Sequence, residues 1–244
     1  MLALLLAPQC AAQTPLRFSS DGTSLNFAAP GPTLRYTADD SNLYYSPFAW
    51  QVSKTSATTV NTGAYVRFLF NGTFLNFRFN VSHMVTPGSE VYWTVDNGPA
   101  TLSLCLDTVS VTIPRNNTPG SVPFHSVELF VKSTTERANR WSATGNSTRV
   151  ILAGIDTDGT LAPWLPSDVN VLIYGDSITE GVLTLGGSQH FDTDHNDASV
   201  VYSHVLGRLL GAEMGVVGFG DNALTYTHPR LKPEMQSQTR DAHT

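Results

Sequence analysis

A change of hydrophobic period near residue 156 constrains the fold of this chain more than any other feature. From about Leu16 to Ile155, apolar and polar residues alternate in short runs, the period of half-buried strands. Ala64-Tyr-Val-Arg-Phe-Leu-Phe70 and Thr73-Phe-Leu-Asn-Phe-Arg-Phe79 are rich in aromatic and β-branched residues, and Asn71-Gly72 between them is a hairpin signal. Arg67 and Arg78 occupy the polar register, as expected where one face of a strand meets water. Further runs follow at Val91–Val95, Ser103–Leu106, Val109–Ile113, Val127–Val131 and Val150–Ala153. Turn chemistry separates them at Pro87-Gly88, Asp96-Asn-Gly98, Pro119-Gly120 and Gly145-Asn146. Strands at this spacing predict an all-β sandwich, of jelly-roll type, over residues 16–157.

Gly159, Pro163 and Pro166 then interrupt the pattern, so residues 158–168 read as a connection between domains. Val169–Tyr174 is a continuous apolar run, the signature of a parallel strand buried on both faces. Asp197–Leu210 has helical spacing, with Val201, Val205, Leu206 and Leu209 as its apolar face, Asp197 as N-cap and Gly211 as stop. A short strand follows at Ala212–Val217, and strand–helix–strand with a right-handed crossover predicts a parallel sheet. The predicted fold is therefore two-domain: an N-terminal β-sandwich, then a partial α/β, flavodoxin-like domain over residues 169–244.

Composition narrows the function classes. With 41% hydrophobic and 10% aromatic residues the chain can build real cores, which excludes global disorder. A net charge of −6 supplies no basic field, so nucleic acid is not an expected partner. Leu2–Ala7 is a short apolar core and Cys10-Ala-Ala12 offers small residues for cleavage, so residues 1–12 read as signal-peptide-like and the protein as secreted. That run is far shorter than the ~20 residues needed to span a bilayer, and no membrane partner is expected. Cys105 would be the only thiol of a mature chain, packed in an apolar strand with no intrachain disulfide. N-x-Ser/Thr sequons at Asn71, Asn80, Asn116 and Asn146 are compatible with secretion, but a chain this rich in Ser and Thr generates several by chance.

The chemistry concentrates in Val171-Leu-Ile-Tyr-Gly-Asp-Ser-Ile-Thr-Glu-Gly181. An apolar strand runs into a tight turn, with Ser177 in the first turn of the next element. A serine hydroxyl at the carboxyl end of a parallel strand suits acyl transfer, with helix N-terminal N–H groups facing the developing oxyanion. Gly175 permits the sharp turn and Gly181 close packing. Ser177-Ile-Thr-Glu180 also satisfies the S-x-x-E capping box, which needs no catalysis, and the residues alone leave both readings open. Thr179 rules out the G-x-S-x-G elbow.

Gly175-Asp-Ser-Ile-Thr-Glu-Gly181 closely resembles block I of the SGNH (GDSL-type) esterase family, and Gly215-Val-Val-Gly-Phe-Gly-Asp221 resembles block II. With the strand-rich half upstream, the chain is similar to the two-domain members of carbohydrate esterase family 2. The resemblance implies a secreted carboxylic ester hydrolase that removes acetyl or other short acyl groups from carbohydrate. Its substrate would be an acylated carbohydrate or small ester, and it would need no cofactor or metal. It implies Ser177 as nucleophile and the N–H groups of Ser177 and Gly220 as the oxyanion hole, with Gly218 as the alternative register. A histidine should deprotonate Ser177 and an asparagine should donate a third hydrogen bond.

Neither of these last two residues is found. No G-x-N-D follows Gly220, and Asp221-Asn222 comes too soon. Asp192-Thr-Asp-His195 has the D-x-x-H spelling of the base but precedes the helix, and Asp241-Ala-His243 has the wrong spacing in a polar tail. His190–Asp197 reads as a solvated loop rather than a displaced base or a carboxylate-lined metal loop. The expectation is a C-terminally truncated esterase with little turnover of p-nitrophenyl acetate. Trp50, Trp93, Trp141 and Trp164 could form a sugar-stacking platform, although core or hinge packing accounts for them better. His83 and His125 read as structural. Two readings compete with the esterase: a non-catalytic polysaccharide-binding module carrying a vestigial hydrolase stub, and a phosphate site, for which the lysine and glycine-rich loop of a P-loop are missing.

Overall fold

Short strands dominate the computed structural model, which describes residues 33–113, 124–135, 138–141, 147–187 and 193–220. In chain order they begin with β1 (Leu34–Thr37), β2 (Tyr44–Tyr45), β3 (Gln51–Val52), β4 (Ala57–Thr59), β5 (Tyr65–Asn71) and β6 (Phe74–Phe79). They continue with β7 (Glu90–Val95), β8 (Thr101–Leu104), β9 (Thr108–Thr112), β10 (His125–Ser133), β11 (Val150–Thr157) and β12 (Thr160–Ala162). The last elements are β13 (Asn170–Gly175), the one-turn helix α1 (Ser177–Glu180), helix α2 (Tyr202–Leu210) and β14 (Glu213–Gly218).

β1 to β12 form two six-stranded antiparallel sheets. The first runs β3-β4-β11-β6-β9, with β1 on the same edge of β11 as β4; the second runs β12-β5-β10-β7-β8, with β2 against β5. Alternation puts Val66, Phe68 and Phe70 of β5 opposite Leu75, Phe77 and Phe79 of β6 in one shared core. The Phe68 and Phe77 rings meet edge-on at 6.1 Å. Val127, Leu129 and Val131 of β10 and Val150, Leu152 and Ile155 of β11 complete the layer. Each such side chain contributes roughly 1.5–3 kcal/mol by burial. Cys105 packs in the same core, and burial pushes its thiol up to about 12.

Asn71-Gly72 does not make the predicted hairpin. β5 and β6 lie in different sheets, and the turn carries the chain across the core. Asp158 fixes the crossing: its carboxylate accepts the N–H groups of Thr73 (2.8 Å) and Phe74 (3.1 Å) and the Thr73 hydroxyl. Asp96-Asn97 does turn as predicted, both residues at φ 53° and Gly98 N–H on the Val95 carbonyl at 2.9 Å, the primed geometry that joins β7 to β8. Part of the predicted connection is itself strand, since Thr160–Ala162 pairs with Asn71–Leu69 of β5.

β13 and β14 pair in parallel from Asn170↔Glu213 to Gly175↔Gly218. β13 is only half-buried, whereas β14 lies almost wholly inside, so the expectation of a strand covered on both faces fits β14 better. The helix departs further from expectation. Asp197 caps a 3-10 turn, Ala198–Val200, the chain straightens at Val201, and Gly211 ends α2 at φ 59°. The face that packs inward is Ser203, His204 and Gly207, while Val205 and Leu206 are exposed and Leu209 is 79% exposed. Gly207 stands on the inner face because the helix lies close there: a Cβ on it would come within 2.2 Å of Met214. No helix among the described residues is long and apolar enough to cross a membrane. The signal-like segment, Asn116, Asn146, Pro119-Gly120 and Gly145-Asn146 lie outside the described residues; Asn71 and Asn80 are exposed.

Candidate active site

Ser177 stands two residues past the end of β13, in the first turn of α1. Asp176, not Ser177, is the N-cap: its carboxylate accepts the Ile178 N–H at 3.0 Å and its carbonyl the Glu180 N–H at 3.0 Å. The capping-box reading therefore fails, because the Asp176 carboxylate, one residue earlier, already holds the turn. Neither cap bond engages the Ser177 N–H, and the Ser177 hydroxyl has no hydrogen-bond partner among the described residues. α1 ends after one turn at Gly181, whose φ of 92° carries the chain away. Gly175 is required by contact as well as by the turn, since a Cβ there would fall 1.8 Å from the Thr179 hydroxyl.

The pairing Gly175↔Gly218 puts Ser177 and Gly220 at the same end of the parallel pair, each two residues beyond the matched glycines. A Cβ on Gly218 would sit 2.8 Å from the Glu180 N, which is why β14 can reach the backbone of α1 only through glycine. The Gly220 N–H donates to Glu180 Oε2 at 2.8 Å. Glu180 is 1% exposed, and its other oxygen takes the guanidinium of Arg140, itself 4% exposed. The Thr62 hydroxyl donates to the Glu180 carbonyl at 2.8 Å. The serine turn is thus bolted to residues from the strand-rich half.

That attachment extends along β14 and α2. Tyr65 and Arg67 of β5 both reach Glu213 Oε2, at 2.5 and 2.8 Å, and Arg67 also binds Glu128 at 2.6 Å. Arg67 therefore faces β14 rather than water; burial alone would lower its affinity for a proton, but the carboxylates of Glu128 and Glu213 raise it. Arg78, on the other sheet, is half-buried against Asp156 at 3.0 Å. Lys132 of β10 joins buried Glu90 at 2.5 Å and the Thr193 carbonyl at 2.9 Å. Tyr92 donates to Asp197 at 2.8 Å.

The segment expected to be a solvated loop is partly buried. Thr193, Asn196 and Asp197 lie inside, because Asn196 accepts the Leu183 N–H at 2.8 Å and Asp197 holds Tyr92 and Ser199. His195 is half-buried against Gly187, and no hydrogen bond links it to Ser177 among the described residues. His190, Asp192, Asp221-Asn222 and Asp241-Ala-His243 lie outside them. No cluster of metal-ligating side chains occurs among the described residues. Sequence reasoning passed over His204, which is packed edge-on against Phe130 at 4.9 Å; burial pushes its ring down to about 4, and Nε2 has no hydrogen-bond partner among the described residues.

The tryptophans pack rather than form one platform. Trp50 donates to the Tyr65 carbonyl at 3.1 Å, Trp93 lies against the core, Trp141 meets Phe219 at 4.8 Å, and Trp164 lies under Arg67 at 5.5 Å. His83 sits 2.9 Å from the Arg149 carbonyl and His125 2.6 Å from Asp96, both within the strand-rich half.

No family model matches the chain, and no curated protein is significantly similar to it in sequence. Solved structures are similar in fold. A family two carbohydrate esterase from Cellvibrio japonicus matches with a TM-score of 0.62 at 21% identity, over 80% of this chain and 55% of its own. A family two carbohydrate esterase from Clostridium thermocellum, in complex with cellohexaose, matches at 0.56 and 19%, over 78% and 55%. An acetyl xylan esterase from the rumen bacterium Butyrivibrio proteoclasticus matches at 0.58 and 15%, over 78% and 49%. With its two antiparallel sheets, its parallel pair and the serine turn between them, the chain has the fold of the family two carbohydrate esterases, of which it spans about half the length.

Proposed function

We propose that this chain carries the nucleophile-bearing part of a secreted carbohydrate ester hydrolase, with a jelly-roll domain preceding an SGNH-type α/β domain. The observation that carries this reading is the position of Ser177. Its hydroxyl, without a hydrogen-bond partner among the described residues, lies at the carboxyl end of a parallel strand, beside the turn that contains Gly220. In the reaction, Ser177 Oγ attacks the ester carbonyl and passes its proton to a histidine base; none of the described histidines is hydrogen-bonded to Ser177 to play that part. The tetrahedral oxyanion forms against the Ser177 N–H, beside the Gly220 turn, and collapse expels the sugar alcohol with that proton. Water then hydrolyses the acyl-serine, releasing the short acid. The cellohexaose held by one structural neighbour and the acetyl xylan named for another support an acylated polysaccharide as substrate.

The test is labelling by a fluorophosphonate probe, with Ser177→Ala as control, alongside acetate release from acetylated xylan. Labelling that disappears in Ser177→Ala supports the hydrolase. Retention on insoluble polysaccharide without labelling would instead support a binding module with a vestigial stub.

A further inference from the structure

Glu180 is a costly residue to bury. A carboxylate at 1% exposure is tolerated only when its oxygens are paired and hydrogen-bonded. Here one oxygen is held by Arg140 and the other by the Gly220 N–H at 2.8 Å. Helix capping does not explain this placement, because Asp176 caps α1 and the Glu180 oxygens are taken by Arg140 and Gly220. Arg140 is itself fixed, its guanidinium 5.6 Å from the ring centroids of both Trp141 and Phe219. Those rings pack edge-on at 4.8 Å, so the Phe219-Gly220 turn is gripped by its side chain and by its backbone.

We infer that Glu180 is a positioning residue: its carboxylate, charge-balanced by Arg140 from the strand-rich half, fixes the Gly220 turn at one spacing from Ser177. Glu180 touches no reacting atom. Gly220 then contributes the position of the turn rather than an open donor, since its N–H is already engaged. A turn held this way is a fixed wall beside the Ser177 N–H, the donor left to meet the oxyanion, so the site needs no rearrangement as charge develops. The inference rests on the reading of Ser177 as nucleophile.

Two variants of the full chain test it. Glu180→Asp keeps the charge beside Arg140 but draws the carboxylate back from Gly220 by one methylene. The pair Glu180→Gln with Arg140→Met removes both charges together, so that no buried ion is left unpaired. In each folded variant, hydrogen exchange at the Gly220 amide should accelerate by about tenfold or more, as for loss of a charge-assisted hydrogen bond. Exchange at the Met214 amide, which donates to Tyr65 at 3.0 Å, should be unchanged. Fluorophosphonate labelling of Ser177 should slow by about tenfold. Unchanged Gly220 exchange in both variants, or faster labelling in either, overturns the inference; the latter would mark Glu180 as a competitor for the amide. If the wild-type chain and Ser177→Ala are alike unlabelled, the nucleophile reading fails, while Gly220 exchange still decides the role of Glu180.

Discussion

The Tyr65 hydroxyl donates to Glu213 at 2.5 Å and accepts the Met214 N–H at 3.0 Å, so one phenol in β5 serves a carboxylate and a backbone amide of β14. Glu213 is nearly buried, and its other oxygen accepts the Ser167 N–H at 3.2 Å. Glu213→Ala should therefore cost about 3–5 kcal/mol, since it leaves Arg67 without one of its two carboxylates and Tyr65 without its acceptor. Tyr65→Phe removes only the hydroxyl and should cost about 1–3 kcal/mol. Urea unfolding of the two variants would show this ranking.

His204 gives stability a pH dependence. The carboxylate of Asp197 favours its protonation, but burial and the positive charges of Arg208 and Arg67 outweigh it and push the ring down to about 4 from 6.5. Above pH 6.5 the ring is neutral whether the chain is folded or not. As pH falls from 6.5 towards 4, the unfolded chain takes up a proton that the folded chain refuses, so stability is lost across that window by about 3 kcal/mol in all. His204→Leu should flatten that part of the stability–pH curve, measured by denaturant midpoints from pH 7 to pH 4.

Lys132→Met should destabilise by about 3–5 kcal/mol, because Glu90 would remain buried without its partner. Adding Glu90→Leu should recover most of that loss. A double-mutant cycle on melting free energies measures the coupling.

Gly159→Ala should cost about 1–3 kcal/mol, because the new Cβ would fall 1.9 Å from the Asn71 carbonyl and force the sheet-to-sheet turn apart. The midpoint of urea unfolding should fall with the slope unchanged.

Local patterns in the sequence were legible where one element decides the outcome. Asp96-Asn97 turns as its residue types demand, and the strand before Gly175-Asp-Ser177 pairs in parallel with the one before Phe219. Partner choice was not legible. Asn71-Gly72 has the composition of a hairpin, yet long-range pairing of β5 with β10 and of β6 with β11 overrides it. The inner face of α2 was missed for a similar reason: periodicity selects Val205 and Leu209, whereas close approach to β10 and β14 selects Ser203, His204 and Gly207. Glu180 looked like half of a capping box because its partners, Arg140 and Gly220, are each 40 residues away in the sequence.

The bonds that fasten the serine turn join residues far apart along the chain: 118 positions separate Thr62 from Glu180, and 148 separate Tyr65 from Glu213. During synthesis the strand-rich half leaves the ribosome first and can begin to close its core before β14 emerges. Loop-closure entropy makes contacts at such separation late and slow. The Ser177 turn is therefore set in place on a template already folded, and a lesion in β5 or β10 would displace that turn through the order of assembly.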